Sequence, residues 1–304
     1  MDKNSLIWYN GKIINWDDAQ THVMSHVVHY GTGVFEGIKC YETPNGKAIF
    51  RLTEHIDRLY KSAESYNMEI PYEREKLNSG CLDIVRQSET GDSYIRPIAF
   101  YGYDTLGVNP KNCPVHVAIG TFYWGAYLGD GALENGIKAT ISPWRKFSIK
   151  SMPATAKGSG HYLNSLLAVT DAKDRGFDEA ILLNEEGLIA EGSGQNIFIV
   201  KNGELYTNDE RSSILLGITR DSLIKICNDS NINVHIGELS IDQLHDADEV
   251  FLSGTASEVT PLCSIDKKPI SNGKPGELTL KLQNIYMDIV RSKNQDYSHW
   301  ITMV

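Results

Sequence analysis

The stretch WGAYLGDGALENG, residues 124–136, constrains the fold of this chain most strongly. It is rich in turn residues and has little hydrophobic periodicity, which makes it the best candidate for a linker. A chain of 304 residues has the length of two typical domains. We therefore predict a small domain at 1–123, an interdomain linker at 124–136 and a larger domain at 137–304.

The segment before this linker alternates short β-branched or aromatic runs with turn signals. Asn10-Gly11 and Asn45-Gly46 are typical of hairpin turns. A helix is expected at 53–68, with Thr53 as its cap. Further strands are expected at 93–103 and 114–124. These elements predict a small α+β domain.

The segment after the linker predicts a larger mixed domain. It contains a run of hairpins and several apolar-periodic helices. The expected elements are a strand near 137–142, a helix that begins at or just after Lys157, hairpins within 179–207, and helices at 219–229 and 276–290.

Charge and cysteine usage argue against several classes of protein. The net charge is −10, from 29 basic and 39 acidic residues, and no basic cluster indicates a nucleic-acid or anionic-membrane partner. No apolar run has the length of a membrane span and the N-terminus lacks a secretory signal, so the cytoplasm is the expected location. The five cysteines are widely spaced and form no C-x-x-C pair, so we expect free buried thiols and no metal site.

The segment MPATAKGSGHYLNS, residues 152–165, places Lys157 among residues with almost no side-chain bulk. A flat ligand can approach such a backbone closely, within reach of the lysine. A lysine that acts as a nucleophile must be partly desolvated, which lowers its pKa. The alternative is a solvated surface lysine, because most lysines are exposed.

A second candidate is Glu191, which begins the segment EGSGQN and lies 34 residues after Lys157. Its carboxylate can hold the nitrogen of a pyridine ring protonated, since an opposite charge favours the charged form of the heterocycle. The alternative is a hairpin turn built on Gly-Ser-Gly that carries an exposed glutamate.

The segment LLGITRD, residues 215–221, is typical of anion binding at a helix N-terminus. Gly217 and Thr219 come just before an apolar-periodic run. The N–H groups of Ile218 and Thr219 can therefore bind a phosphate at the positive end of the helix. The alternative is that Thr219 is simply the N-cap and Gly217 a turn residue.

Two further groups can bind the same anion. The small-residue turn SGTASE, residues 253–258, offers the Thr255 hydroxyl and backbone groups. Arg58 can supply the countercharge. The alternative for Arg58 is an ion pair with Glu54, four residues earlier on the same helix.

A lysine, a carboxylate, a helix-end phosphate site and an arginine together describe one ligand, pyridoxal 5′-phosphate (PLP). Nine motifs of this chain resemble, in order, those of the branched-chain-amino-acid aminotransferases, which are class IV, fold type IV PLP enzymes. The resemblance runs from about residue 7 to 265, and its motifs are HVVHYGTGVFEG, HIDR, YIRP, GVNP, WGAYLG, AKGSGHYLNS, EGSGQNIF, LLGITR and LSGTASEVTP. It implies a two-domain α+β fold of the D-amino-acid-aminotransferase type.

The resemblance implies how the candidate residues meet the cofactor. Lys157 is implied to bond covalently to PLP and then to carry a proton between the substrate Cα and the cofactor C4′. Glu191 is implied to face the pyridine nitrogen, and Tyr162 to hydrogen-bond the 3-oxygen. Phosphate contacts are implied for Arg58, Ile218, Thr219 and Thr255, and a close backbone approach for Gly194.

The resemblance also implies the reaction, which is amino-group transfer between branched-chain L-amino acids and 2-oxoglutarate. Substrate contacts are implied for Phe35, Gly37, Tyr94, Arg96, Trp124, Tyr127 and Ala256. The apolar members enclose a branched side chain, whereas Tyr94 and Arg96 accept the distal carboxylate of glutamate. Tyr30 and Val108 are implied to reach the pocket of a neighbouring subunit, which implies at least a homodimer.

Two positions depart from the family pattern, which often has Asn where His161 stands and Glu where Gln195 stands. Neither takes a direct part in the chemistry, but His161 bears on pH dependence or substrate range. Alternatives within the fold are D-amino-acid or amine transaminases and aminodeoxychorismate lyase, against which YIRP and GVNP favour the branched-chain type. A cofactor-free binding protein is a further alternative, against which the joint presence of Lys157, Glu191 and Tyr162 argues.

Overall fold

The computed structural model describes residues 5–304, which contain both strands and helices. The strands are β1 (Leu6–Tyr9), β2 (Lys12–Asn15), β3 (Gly33–Phe35), β4 (Ile38–Thr43), β5 (Gly46–Phe50), β6 (Ser93–Tyr101), β7 (Val115–Phe122), β8 (Ile137–Arg145), β9 (Glu179–Leu183), β10 (Ile189–Gly192), β11 (Asn196–Lys201), β12 (Glu204–Thr207), β13 (Val234–Ile236), β14 (Glu249–Gly254), β15 (Glu258–Ile265), β16 (Lys268–Pro269) and β17 (Ile301–Met303). The α-helices are α1 (His26–Tyr30), α2 (Leu52–Glu64), α3 (Arg74–Arg86), α4 (Ala132–Asn135), α5 (Tyr162–Asp174), α6 (Ile218–Asp229), α7 (Ile241–His245) and α8 (Glu277–Val290). The strands form two sheets, so the predicted α+β class is confirmed.

The chain divides into two compact units, and neither is one continuous stretch of sequence. Unit 1 consists of the residues up to Gly125 together with the segments Ala156–His161 and Ile289–Val304. Unit 2 consists of Ala126–Thr155 and Tyr162–Asp288. Lys157 therefore belongs to unit 1 and Glu191 to unit 2. The predicted linker segment, 124–136, contains the short helix α4.

Unit 1 is built on an eight-stranded sheet with the strand order β17-β5-β4-β6-β7-β1-β2, in which β3 pairs with β6. Asn10 and Gly11 join β1 to β2 with φ angles of 48° and 86°, the left-handed backbone that these two residue types tolerate best. Strands β4 and β5 also form a hairpin, but Thr43 lies opposite Gly46. The turn there is residues 44–45, one position before the prediction.

Helix α2 packs its apolar face, which includes Ile56, into the core of unit 1. It begins at Leu52, so the prediction that Thr53 caps it was wrong. Arg51 precedes the helix with a left-handed backbone, and its N–H donates to the carbonyl of Trp300 at 2.7 Å. The partner that fixes this helix start lies far away along the chain.

Unit 2 is built on a nine-stranded sheet with the strand order β10-β9-β8-β15-β14-β11-β12-β13, in which β16 pairs with β15. Strand β8 runs parallel to β9 and β15, whereas β14 is antiparallel to both β11 and β15. At the start of β11, Asn196 lies opposite Ser253 near the end of β14. The turns that precede β11 and follow β14 therefore meet at one edge of the sheet.

Helix α6 begins at this same region of unit 2. Its N-cap residue is Gly217, which makes no side-chain cap hydrogen bond, and Ile218 and Thr219 are its first two helical residues. The alternative that Thr219 is the N-cap was therefore wrong. The first backbone N–H groups of the helix belong to the two residues predicted to bind an anion.

Candidate active site

The backbone of Lys157 is fixed on both sides. Its N–H donates to Ser62 Oγ of α2 at 2.9 Å, and its carbonyl accepts from the N–H of Phe35 in β3 at 3.1 Å. The next residue, Gly158, forms an antiparallel bridge with Val34. A helix and a strand of unit 1 thus determine where the lysine side chain begins.

A fully buried carboxylate, Glu36, lies directly after β3 and binds one face of α2. His55, Arg58 and Ser62 share that face because they are three and four residues apart. Arg58 donates to Glu36 twice, from Nε to Oε1 at 2.7 Å and from Nη2 to Oε2 at 2.8 Å. His55 Nδ1 donates to Oε2 at 2.7 Å. The carboxylate therefore joins the two side chains into one buried cluster.

The charges of this cluster follow from its hydrogen bonds. Burial opposes ionisation of Glu36, but Arg58 and His55 outweigh it and hold the pKa of the Glu36 carboxyl well below its ordinary value. Burial lowers the pKa of His55, so its imidazole is neutral near pH 7 and donates from Nδ1. Glu54 bonds to Arg51 at 2.7 Å, so the alternative pairing of Arg58 with Glu54 was wrong.

The Lys157 amine is shifted toward its neutral form. Burial, followed by the positive charge of Arg58, lowers the pKa of Lys157 from 10.5 to about 8, although Glu36 acts in the opposite direction. With this pKa about a tenth of the amine is neutral at pH 7, against roughly one part in 3000 for an ordinary lysine. Such an amine is suited to nucleophilic attack.

Arg96 lies among aromatic rings, with its guanidinium carbon 4.8 Å from the ring centre of Phe35, 5.2 Å from that of Tyr94 and 5.8 Å from that of Trp124. Its buried Nε has no hydrogen-bond partner among residues 5–304. A buried donor without a partner is unfavourable, so a ligand carboxylate fits here. Gly37 belongs to the same group, because a Cβ at this position would lie 1.7 Å from Tyr94 Oη.

His161, one of the departures from the family pattern, pairs through Nε2 with the hydroxyl of Tyr66. Burial raises the pKa of Tyr66 to about 12, so the phenol keeps its proton at neutral pH. A Cβ on Gly158 would lie 2.9 Å from Tyr66 Oη and 3.3 Å from His161 Nε2. The pair therefore packs against the residue that follows Lys157.

In unit 2, Glu191 is buried and held by two partners. Its Oε1 lies 2.6 Å from Lys146 Nζ, and its Oε2 accepts from the N–H of Leu215 at 3.0 Å. Lys146 is buried as well. The alternative of a solvated glutamate on a hairpin turn was therefore wrong, because the carboxylate is buried and paired with a cation.

The segments predicted to bind phosphate lie beside Glu191. Leu215 accepts through its carbonyl from Asn196 Nδ2 at 2.7 Å, and Asn196 pairs with Ser253. Gly217 also packs on Asn196, since a Cβ there would lie 2.1 Å from Asn196 Oδ1. The predicted residues gathered at this end of unit 2 are Glu191, Gly194, Ile218, Thr219, Thr255 and Ala256.

The donors at this end of unit 2 fit an anionic ligand. The twelve-residue helix α6 presents its positive end without a side-chain cap. Ser257 Oγ is buried and, in the described part of the chain, has no hydrogen-bond partner. A helix N-terminus with nearby hydroxyls is a phosphate-binding arrangement, and the carboxylate of Glu191 suits a pyridinium ring, so these residues fit PLP.

The other predicted residues occupy separate positions. Tyr162 is the first residue of α5 and is partly exposed. Tyr127 lies near the start of the segment Ala126–Thr155 of unit 2. Tyr30 and Val108 are 44% and 79% exposed. Tyr30 Oη donates to the carbonyl of Leu106 at 2.6 Å, so the two exposed side chains belong to one surface of unit 1.

Sequence reasoning missed Glu36, His55 and Lys146. Glu36 stands in the motif GVFEG between Phe35 and Gly37, which were both predicted to contact the substrate. An acidic residue in an apolar strand region is a signal of a buried, paired charge. His55 precedes Arg58 by three positions in the motif HIDR, so the helical period placed it on the same face. Lys146 carries no local signal, because its partner Glu191 lies far along the chain.

Gln195 is the second departure from the family pattern, and the structure gives it a partner. Its Nε2 donates to Glu179 Oε2 at 2.8 Å, and both residues are buried. A glutamate at position 195 would place two carboxylates in contact, which is unfavourable when both are charged. The amide at this position is thus matched to Glu179.

The described residues contain free cysteines, of which Cys40, Cys81, Cys113 and Cys227 are buried and Cys263 is partly exposed. Within residues 5–304 no group of three or more His, Cys, Asp or Glu side chains is placed to hold a metal ion. No described helix combines the length and the apolar character that crossing a membrane requires.

The chain belongs to the class IV aminotransferases, whose family model matches residues 33–265. It is 43% identical to the branched-chain-amino-acid aminotransferase of Pseudomonas aeruginosa over 303 residues, which cover 100% of this chain and 98% of that protein. The structure is similar to that of the Escherichia coli branched-chain amino acid aminotransferase, with a TM-score of 0.97, 42% identity and 99% of both chains covered. These matches confirm the family predicted from the motifs.

The T.th. branched-chain amino acid aminotransferase is also similar. Its structure with pyridoxamine 5′-phosphate has a TM-score of 0.96 and 45% identity, and the match covers 100% of this chain and 99% of that one. Its complex with N-(5′-phosphopyridoxyl)-L-glutamate matches with a TM-score of 0.95, 44% identity and the same coverage. Both bound molecules are derivatives of PLP.

Proposed function

We propose that this chain catalyses PLP-dependent transamination between branched-chain L-amino acids and 2-oxoglutarate, which yields branched 2-oxo acids and L-glutamate. The observation that carries the proposal is the Lys157 amine, whose backbone is fixed by Ser62 and Phe35 and whose pKa is lowered to about 8. Membership of the class IV aminotransferases supports the same reaction type.

When bound, PLP supplies an electron-withdrawing pyridinium ring that stabilises negative charge at the substrate Cα. Lys157 would hold the cofactor through Nζ, and the same amine, once free, would be the base that moves the proton from the substrate Cα. Glu191 keeps the ring nitrogen protonated, and Tyr162 hydrogen-bonds the 3-oxygen. The phosphate is bound by Arg58, Ile218, Thr219 and Thr255, and Gly194 allows close approach of the backbone.

Two kinds of substrate contact accommodate two kinds of side chain. The apolar surfaces of Phe35, Trp124 and Tyr127 enclose a branched aliphatic group, and Gly37 and Ala256 leave room for it. Arg96, with Tyr94 beside it, bonds the distal carboxylate of glutamate. The partnerless Nε of Arg96 supports this role.

The chain works as at least a homodimer in this proposal. The exposed Tyr30 and Val108 reach the substrate pocket of the neighbouring subunit, which explains why such large apolar side chains face outward. The cytoplasm stays the predicted location, and the free buried cysteines fit a reducing compartment.

A panel of amino donors tests the proposal. The purified chain with PLP is given L-leucine, L-isoleucine, L-valine, D-alanine, an aryl amine and aminodeoxychorismate, each with 2-oxoglutarate where an acceptor is needed. The expected result is glutamate formation from the three branched-chain L-amino acids. A preference for D-alanine, the amine or aminodeoxychorismate would assign the chain to another activity of the same fold.

A further inference from the structure

The Glu36 carboxylate takes no part in the proposed chemistry, yet hydrogen-bond donors surround it. Arg58 donates to it twice, His55 once, and the N–H of Gly37 lies 3.3 Å from Oε2. The side chain is completely inaccessible to solvent. A buried charge is tolerated only when it is paired and hydrogen-bonded, so this environment is specific for a carboxylate at position 36.

The pairing fixes the guanidinium of Arg58. A free arginine side chain has several rotatable bonds and many rotamers, but two parallel hydrogen bonds to one carboxylate determine both the position and the plane of its head group. His55 in turn holds Oε2 of Glu36 through Nδ1. The orientation of Arg58 is therefore set by β3 and by its own helix.

We propose that Glu36 is a positioning residue for phosphate recognition: with His55 it fixes the Arg58 guanidinium in the orientation in which Arg58 binds the phosphate of the cofactor. This inference rests on the proposed function, in which Arg58 is a phosphate ligand. It extends that function to a residue that touches no cofactor.

The substitution Glu36→Gln separates orientation from charge. Arg58 Nε, Arg58 Nη2 and His55 Nδ1 are all donors, so the NH₂ of a glutamine must face at least one of them and disrupt the pairing. Removal of a negative charge would by itself strengthen the attraction of Arg58 for a phosphate. A weaker phosphate interaction in Glu36→Gln therefore reports lost orientation.

The measurement is the ratio of two dissociation constants, that for pyridoxal divided by that for PLP, with the full chain freed of cofactor. The two ligands share a ring and an aldehyde, so the ratio isolates the phosphate. We expect Glu36→Gln and Arg58→Gln each to reduce the ratio by about tenfold or more. The double variant should show no further reduction, because Glu36 acts through Arg58. Glu54→Gln, at a partly exposed position of the same helix, is the matched control and should keep the ratio.

A reduced ratio in Arg58→Gln with an unchanged or raised ratio in Glu36→Gln would overturn the inference and leave Arg58 as a phosphate ligand. Equal weakening of PLP and pyridoxal in Glu36→Gln would show a merely structural role and overturn it too. An unchanged ratio in Arg58→Gln would remove the assignment of Arg58 itself. If Glu36→Gln does not fold, Glu36→Asp replaces it in the test. Aspartate keeps the negative charge, but its side chain is one methylene shorter, so its carboxylate oxygens lie further from Arg58 and His55. An unreduced ratio of dissociation constants in Glu36→Asp would contradict the proposal.

Discussion

Two lysines, one in each unit, experience opposite electrostatic environments. Lys146 of unit 2 lies 2.6 Å from a carboxylate oxygen of Glu191. Lys157 of unit 1 lies near Arg58, and the buried carboxylate of that unit, Glu36, is already paired with Arg58. The two lysines thus differ in their charged neighbours, and burial together with the charge of Arg58 lowers the pKa of Lys157 to about 8.

The largest expected effect separates these two lysines. Lys157→Ala should reduce transamination by about a thousandfold or more, because both the nucleophile and the base are lost. The fold and some PLP binding should remain. Steady-state assays and a PLP titration measure the two properties. Lys146→Met is the comparison and should retain measurable turnover; near-normal turnover in Lys157→Ala would contradict the assignment.

The next largest effect concerns the carboxylate of unit 2. Glu191→Gln should slow proton transfer at the substrate Cα by about a hundredfold, because a neutral amide no longer favours the protonated ring nitrogen. Stopped-flow absorbance of the half-reaction with L-leucine measures the rate, and thermal unfolding measures stability. A variant that loses stability but keeps its rate would show that Glu191 only neutralises Lys146.

Arg96→Leu should distinguish the two substrates of the proposed reaction. The loss of a partner for a buried carboxylate costs about 2 to 5 kcal/mol, so kcat/KM for glutamate and 2-oxoglutarate should fall roughly thirtyfold or more. Leucine has no distal carboxylate and should lose much less. Each half-reaction is followed separately by cofactor absorbance, and equal losses for the two substrates would exclude this role of Arg96.

The smallest expected effect is the pH dependence of chemical labelling at Lys157. In the cofactor-free chain, the rate at which an amine reagent labels Lys157 should rise about tenfold per pH unit and level off near pH 8, where half of the amine is neutral. An ordinary lysine would level off only near about pH 10.4. Mass spectrometry of the labelled peptide measures the rate, with Lys76 on the exposed side of α3 as the reference. Parallel profiles for the two lysines would contradict the environment described for Lys157.

Local sequence signals were sufficient to predict those parts of the structure that depend only on residues close together in the chain. Asn10-Gly11 forms the predicted turn because both residue types accept a positive φ. The N-terminus of α6 was predicted because Gly217 and Thr219 come just before an apolar-periodic run. The predicted roles of Ile218 and Thr219 stay predictions, since the structure supplies their positions and not their ligand.

Long-range partners account for what the sequence did not reveal. The start of α2 depends on a backbone hydrogen bond between Arg51 and Trp300, and the environment of Glu191 depends on Lys146. Glu36 was missed because the two donors that make it a buried carboxylate lie on another element. No periodicity or local motif contains such pairings.

The position of β17 in the chain delays the completion of unit 1 during synthesis. Strand β5 pairs with β17, with Phe50 opposite Ile301, so the two partners are roughly 250 residues apart. A ribosome adds about 5 to 20 residues per second, so the edge of β5 remains open for about 12 to 50 s after it emerges. An open strand edge is a template for pairing with other chains. A nascent chain that has folded up to β5 therefore carries an open strand edge at β5 until residues 301–303 have been made.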